Sequence, residues 1–270
     1  MNAVMRFVLS SILLVAWAAS SLGQSLPTSQ PDVLGIQIEE VKVGHASEHI
    51  ATETGWPAAL ERAKSAFPYL ALASLSGRPE VWFITPFESH AKVAESMEEG
   101  GEALAAELSR LSRVDAEHLT GVRSVHTVAR KDLSHGAFPD TARQRFFEIT
   151  TFRVRPGGEG AFEAAAKAYG AAAGRAAPGV AYRVYEVVAG MPSPSYLVIS
   201  STVTFADFDK MMADGATTTK AMTPQEQEAM QKFGPHAFSI ETNRFRLDPN
   251  MSFVPQSVRD QDPAFWKSRT

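Results

Sequence analysis

The feature that most constrains how this chain folds is an internal repeat. A shift of 113 residues places "GIQIEEVKVG" (35–44) on "EITTFRVRPG" (148–157). After a two-residue insertion the shift becomes 115, and "PEVWFITPFESHAKVAESMEEG" (79–100) falls on "PSYLVISSTVTFADFDKMMADG" (194–215). A register held over this distance indicates one supersecondary unit present twice.

Each copy begins with a strand and a helix. The first strands, predicted at 35–43 and 146–155, end at a glycine that permits a tight turn. In the second copy, residues 162–176 carry apolar side chains at i, i+3, i+4 and i+7 spacings, which predicts a helix with one buried face. In the first copy, His49 and Trp56 share that stripe.

Two more strands, a second helix and a last strand complete each copy. We predict the last strands near 123–131 and 238–247, still at a shift of 115. The βαββαβ order is ferredoxin-like. The segments "YLALASL", "VWFITPF" and "YLVIS" are apolar at nearly every position, which is typical of strands buried on both faces. The predicted fold is therefore α+β, with two tandem ferredoxin-like modules (34–134 and 145–248) packed sheet to sheet as an intrachain α/β barrel.

The N-terminus has the layout of a secretory signal peptide. Arg6 precedes an apolar run, 7–19, and small residues follow before Gln24. The run is short for a membrane span, which needs about 20 residues. We predict a signal peptide at 1–23 and an exported protein, periplasmic or secreted; an uncleaved anchor is the alternative. Residues 24–33 form a polar linker.

Composition excludes several classes of function. The net charge of -4 gives no reason to expect nucleic-acid binding, or membrane binding once the signal is cleaved. The chain has no cysteine, which rules out disulfides and thiol catalysis. We expect a monomer or weak homodimer. The C-terminal tail, 249–270, lies outside both repeats, and its aromatic residues Phe253, Phe265 and Trp266 are predicted to pin it to the body.

Taken together, these features resemble the dimeric α/β-barrel superfamily over residues 34–247. The motifs that carry the resemblance are "VKVGH", "VRPGG", "WFITPFESHA" and "LVISSTVTFADF", and the nearest relatives are NIPSNAP-like and antibiotic-biosynthesis-monooxygenase-like modules. The resemblance implies the barrel fold. The superfamily includes cofactor-independent monooxygenases, haem-degrading enzymes, isomerases and modules without known activity. The Asn–Trp–His set of the haem degraders has no counterpart that can be placed here, so no catalytic residue is transferred, and whether the chain is an enzyme stays open.

The string "HASEH", His45 to His49, matches the inverted zinc-protease pattern H-x-x-E-H. A zinc protease needs both histidines on one helical face with the glutamate beside them. The repeat instead places His45 in a turn, Glu48 outward and His49 on the core stripe. We therefore expect no peptidase, no metal site and no cofactor.

The candidate ligand-binding residues are His49, Trp56, Tyr69 and Trp82, around a helix–sheet cavity of the first module. The second repeat has Phe162 where the first has His49, as expected if one copy kept a pocket and the other became filler. The predicted function is binding of a small, largely apolar molecule, with His49 as its polar contact. The alternatives are a core histidine bonded to backbone, a cofactor-independent monooxygenase-like enzyme, and a structural or interaction module without pocket chemistry.

Overall fold

The computed structural model describes residues 25–266. The predicted signal peptide lies outside this range. No helix among residues 25–266 is both long and apolar enough to cross a membrane.

The first module follows the predicted order, with each of its two helical segments divided in two. Its elements are β1 (Val33–Val41), α1 (Ala46–Glu53), α2 (Gly55–Ala63), β2 (Tyr69–Ser74), β3 (Glu80–Phe87), α3 (His90–Glu98), α4 (Gly101–Asp115) and β4 (Leu119–Ala129). The break between α1 and α2 falls where α4 packs closely. A Cβ atom on Gly55 would lie 2.7 Å from Leu111 Cδ2, so a larger residue would push α4 away.

The second module repeats this plan with an unbroken first helix. Its elements are β5 (Phe146–Val154), α5 (Glu159–Ala176), β6 (Arg183–Ala189), β7 (Ser195–Thr202), α6 (Asp207–Lys220), α7 (Pro224–Phe233) and β8 (Ala237–Phe253). Helix α7 starts at a capping box, in which Thr223 and Glu226 satisfy each other's backbone N–H groups. Two short helices follow, α8 (Gln256–Arg259) and α9 (Pro263–Trp266).

The eight strands within residues 25–266 form one closed antiparallel barrel in the order β1-β3-β2-β8-β5-β7-β6-β4. Within a module the order is β4-β1-β3-β2 or β8-β5-β7-β6. Strand β2 pairs with β8 and β4 pairs with β6, so each module supplies partners for the edge strands of the other. Closure leaves no free edge, and it confirms the predicted intrachain α/β barrel.

The barrel interior explains why the strands are so apolar. Alternate strand residues point inward or toward the helices, and both sides are covered. The largest interior side chains that are nearly inaccessible to solvent are Ile36, Ile38, Leu72, Ile149, Leu197, Phe245, Leu247 and Trp266.

The C-terminal tail is part of this core. Strand β8 runs on to Phe253, which is buried, and Trp266 of α9 is 1% exposed. Arg145, which directly precedes β5, holds the tail: its Nη2 lies 2.6 Å from Asp262 Oδ2, and its guanidinium lies 3.7 Å from the centre of the Phe265 ring. The aromatic residues of the tail thus anchor it as predicted.

Strand pairing agrees with the repeat alignment for the first and third strands of each module. In β1 and β3, Ile38 lies opposite Trp82, and in β5 and β7, Thr151 lies opposite Leu197. These pairs match at shifts of 113 and 115, as the sequence indicated.

The last strands of the two modules, β4 and β8, are not related by the shift of 115 residues. Gln37 lies opposite Ser124, whereas its repeat partner Thr150 lies opposite Thr242. Ser124 therefore corresponds to Thr242, and its predicted match to Ser239 is wrong by three residues. The extra residues lie in the helical region between the third and fourth strands, where exposed turns absorb insertions and short-range identities mislead.

Candidate functional site

Four ionisable side chains meet inside the first module. Glu39 comes from β1, His49 and Glu53 from α1, and Asp115 from the last position of α4. None is more than 3% exposed. One ligand-type atom of each residue lies within 4.8 Å of the corresponding atoms of the others. We call these four residues the acidic cluster.

Local geometry brings the four together. His49 and Glu53 are four residues apart and therefore share one helical face. Glu39 points toward the helices because its neighbour Ile38 points into the barrel. Asp115 sits at a helix C-terminus, where the helix dipole disfavours a carboxylate. The helix dipole therefore does not explain why an aspartate occupies position 115.

His49 has one satisfied ring nitrogen and one that is not. Its Nδ1 lies 2.8 Å from Asp115 Oδ1, a hydrogen bond in which the ring nitrogen donates because a carboxylate only accepts. Its Nε2 lies 3.7 Å from Glu39 Oε2, beyond hydrogen-bond distance. In the neutral ring this leaves the lone pair of Nε2 facing the carboxylates.

Several other polar atoms here lack partners. Among the described residues, Glu39 Oε2, His49 Nε2, Glu53 Oε1 and Trp56 Nε1 are buried without a hydrogen bond. The other oxygen of Glu39 accepts a 2.6 Å bond from Gln37 Nε2. Buried polar atoms are rarely left unpaired, so a concentration of them at one place calls for an explanation.

Burial changes the acidity of the carboxyl groups. Burial, and after it the negative charges of Glu39 and Asp115, raise the pKa of Glu53 to about 9. The Trp56 indole lowers this pKa, although neither Trp56 Nε1 nor Glu53 Oε1 meets hydrogen-bond geometry with a partner among the described residues. Burial also raises the pKa of Glu39; the bond from Gln37 opposes it, Asp115 adds to it and His49 opposes it. The site therefore favours uptake of positive charge.

A cavity of about 380 Å³ lies beside the acidic cluster, between the helices and the sheet of the first module. Glu53 and Trp56 line its helical side, and Tyr69, Phe83 and Thr85 line its sheet side. Glu53 thus belongs to both the cluster and the cavity wall.

The four predicted ligand-binding residues separate into three places. Trp56 and Tyr69 line the first-module cavity. His49 lies one helical turn behind that wall, bonded to Asp115 rather than to backbone. Trp82 is not in the cavity: it faces the barrel interior, where its Nε1 donates a 2.9 Å bond to Glu80 and its ring packs 5.3 Å from that of Phe245.

The placement of Trp82 follows from strand alternation. Its neighbour Phe83 points to the cavity, so Trp82 must point the other way. Sequence reasoning also missed Glu39, Glu53 and Asp115. The i, i+4 spacing of His49 and Glu53 was visible in the sequence, but nothing in the sequence placed Asp115 beside them.

The three zinc-motif residues of "HASEH", His45, Glu48 and His49, do not converge. His45 Nδ1 lies 3.2 Å from His118 Nδ1, and Glu48 is exposed. Only His49 enters the acidic cluster. The arrangement required of a zinc protease is therefore not formed, in line with the position that the repeat assigned to each residue.

The second module has an apolar counterpart of the acidic cluster. Strand register, helix starts and the turn before the last strand give the equivalent residues as Phe152, Phe162, Ala166 and Phe233. The three phenylalanines pack together, with ring centres 5.4 Å apart for Phe152 and Phe162, 5.5 Å for Phe162 and Phe233, and 6.2 Å for Phe152 and Phe233.

The second module also contains a helix–sheet cavity, of about 450 Å³, whose lining includes Phe152, Tyr169, Tyr182, Val198 and Met211. The expectation that this copy is filler is therefore wrong. Its packed residues Phe152, Phe162 and Phe233 form part of the cavity wall.

Solved structures with the same architecture cover most of this chain. They include a proposed monooxygenase from Lactobacillus acidophilus (TM-score 0.52, 10% identity, 83% of this chain and 96% of that chain) and an anthrone oxidase-like protein (0.55, 11%, 82% and 93%). A mutant chlorite dismutase from Candidatus Nitrospira defluvii, in complex with cyanide, is similar to the same degree (0.51, 11%, 83% and 93%).

No protein-family model and no curated protein matches the chain. At identities of 10–11% these likenesses concern the fold alone. The closed eight-stranded barrel and these matches show the fold of the dimeric α+β barrel proteins, with two ferredoxin-like modules in tandem.

Proposed function

We propose that this is an exported protein that binds a small, largely apolar molecule in the helix–sheet cavity of the first module. Trp56 and Tyr69 form walls of the site. Glu53 replaces His49 as the polar contact, since the His49 ring is turned to Asp115. The observation that carries the proposal is the pair of buried, unpartnered polar atoms at one cavity wall, Glu53 Oε1 and Trp56 Nε1.

The chemistry of the wall defines the ligand class. Phe67, Phe83 and Phe87 add apolar surface around Trp56 and Tyr69. A cavity of about 380 Å³ lies at the small end of the range for ligand sites. The Trp56 N–H is a donor, and at neutral pH a Glu53 with a pKa of about 9 is a donor as well. The preferred ligand is therefore a compact apolar molecule with one or two acceptor oxygens.

The alternative is catalysis in the same cavity. A protonated carboxyl at the wall is suited to general-acid chemistry on a substrate oxygen. Solved structures with this fold include a proposed monooxygenase and an anthrone oxidase-like protein, so cofactor-independent oxygenation is the reaction to test. Oxygen uptake with the co-purified molecule as substrate would distinguish an enzyme from a binding protein.

Two matched substitutions test which cavity is used. Thr85 lines the first cavity, and Ser200, its repeat equivalent, lines the second. We would measure binding of the neutral apolar fluorophore N-phenyl-1-naphthylamine and, by native mass spectrometry, retention of any co-purified molecule. We expect Thr85→Phe to abolish binding and Ser200→Phe to leave it unchanged. The opposite pattern would assign the ligand to the second module and overturn the proposal.

A further inference from the structure

We propose that Glu39, His49 and Glu53 bind one divalent transition-metal cation, and that Asp115 orients His49 for this task. The inference stands on the acidic cluster itself and does not require a ligand in the neighbouring cavity.

The three donor atoms already lie close together, and none is used in a hydrogen bond among the described residues. His49 Nε2, Glu39 Oε2 and Glu53 Oε1 have no hydrogen-bond partner among the described residues, and all belong to side chains that are almost completely buried. The cluster offers ligand atoms within 4.8 Å of one another. Metal–ligand bonds of about 2.0–2.2 Å correspond to donor separations of about 3–4.3 Å, so small rotations of side chains would complete the site.

Asp115 and Gln37 supply the outer support that such sites use. A metal-binding imidazole characteristically donates its second N–H to a carboxylate, which fixes the ring and its tautomer. The 2.8 Å bond from His49 Nδ1 to Asp115 has this form and leaves Nε2 as the ligand. Gln37 donates to one oxygen of Glu39 and leaves the other free.

Charge balance favours a cation over an ordinary buried salt bridge. Three carboxylates share the pocket with one imidazole, so even a charged His49 would leave uncompensated negative charge. Protons alone would neutralise the acids, but each protonated carboxyl is a donor that needs an acceptor. A divalent ion neutralises two carboxylates and satisfies the three unpartnered atoms together.

The second module shows that the fold does not require this cluster. The same positions there hold three mutually packed phenylalanines and an alanine. Replacing a buried ionic group with packed apolar residues is often neutral or stabilising. Stability therefore gives no reason for the first module to carry four ionisable residues, whereas a bound cation does.

The donor set defines the class of ion. One imidazole nitrogen with carboxylate oxygens suits Mn²⁺, Fe²⁺ or Zn²⁺, and the chain has no cysteine to favour softer ions. Because Glu53 also lines the first-module cavity, a bound ion would border that cavity. The ion would hold Glu53 as a carboxylate, so the donor toward an apolar ligand would then be the Trp56 N–H. Of the "HASEH" residues, whose positions predict no metal site, only His49 takes part here.

The test measures metal binding by the full chain. The protein is stripped with a chelator, dialysed against Zn²⁺ or Mn²⁺, and analysed for bound metal; thermal unfolding with and without the ion gives a second readout. We expect about one ion per chain and a rise in unfolding temperature on adding it. The isosteric substitution Glu53→Gln should weaken binding at least about ten-fold, and His49→Phe should abolish it.

The controls come from the same motif. His45→Ala and Glu48→Gln should bind as wild type does, because neither side chain enters the cluster. If His49→Phe does not fold, Glu53→Gln carries the test alone. Failure of wild type to bind either ion, or undiminished binding by Glu53→Gln, would overturn the inference. Thr85→Phe should keep the metal while losing the fluorophore, so this inference and the proposed function can fail separately.

Discussion

The hydrogen bond of 2.8 Å between His49 Nδ1 and Asp115 Oδ1 joins the first helix of module one to the end of its fourth helix. In module two the equivalent residues, Phe162 and Phe233, meet edge to face at 5.5 Å. The contact between these two helical positions is thus formed by ionisable side chains in module one and by aromatic packing in module two. Substitution can test whether one kind of contact can replace the other.

Asp115→Asn keeps the shape of the side chain but removes its charge. We expect a loss of about 1–3 kcal/mol in the free energy of unfolding of the metal-free protein, the usual range for weakening a buried hydrogen bond to a charged group. Metal affinity should fall about 10–100-fold, as for other outer-shell changes. Chemical denaturation and equilibrium dialysis measure the two effects. Glu102→Gln, an exposed change in the first turn of the same helix, should leave metal affinity unchanged and cost at most about 1 kcal/mol of stability through the helix dipole.

Copying module two into module one requires four changes together: Glu39→Phe, His49→Phe, Glu53→Ala and Asp115→Phe. We expect this variant to fold with a metal-free stability equal to or above that of wild type, because buried ionic groups are replaced by packing that the fold already uses. It should bind no metal. By contrast, His49→Phe alone should cost about 3–5 kcal/mol, because it leaves buried acids without their partner. Equal free energies of unfolding for His49→Phe and the fourfold variant would contradict the expectation that aromatic packing can replace the acidic cluster.

Substitutions of Trp56 and Trp82 should have opposite effects on ligand binding and on stability. Trp56→Phe removes a donor at the cavity wall and should weaken ligand binding with little effect on stability. Trp82→Ala empties part of the barrel interior and should cost about 3–5 kcal/mol without changing ligand affinity in the folded fraction. Native mass spectrometry of the co-purified molecule and urea unfolding measure the two quantities. Loss of binding in the Trp82 variant at matched folded fraction would place the ligand in the barrel instead.

The tail should loosen in acid. The hydrogen bond from Arg145 lowers the pKa of Asp262 below its ordinary value of 3.8. A depressed carboxyl pKa stabilises the folded state above the unfolded pKa, and that contribution is lost as pH falls through the folded pKa. The difference in melting temperature between wild type and Asp262→Asn should therefore be largest near neutral pH and shrink as the pH falls below 3.8. A difference that grows in acid would contradict this account.

Export makes a simple prediction. If residues 1–23 form a cleaved signal peptide, the mature protein from its native host begins at Gln24, and N-terminal sequencing will show it. A mature chain that still begins at Met1 in the cytoplasm would refute export.

The sequence by itself determined the duplication, the βαββαβ order and the barrel. Strands such as β3 are apolar on both faces, and such strands need cover on both sides; the nearest available cover is the other copy. The aromatic anchors of the tail and the separation of His45, Glu48 and His49 could likewise be predicted, because both follow from local periodicity and repeat position.

Only the tertiary structure decided the site. Glu39 and Asp115 are 76 positions apart in the chain, and no local pattern relates a strand residue to the end of a helix beyond two intervening strands. The direction of Trp82 depended on which face of β3 the barrel encloses, a choice that a uniformly apolar strand does not reveal. Side-chain convergence depends on three-dimensional packing, and in this chain it turns an unremarkable core histidine into the centre of a buried acidic cluster.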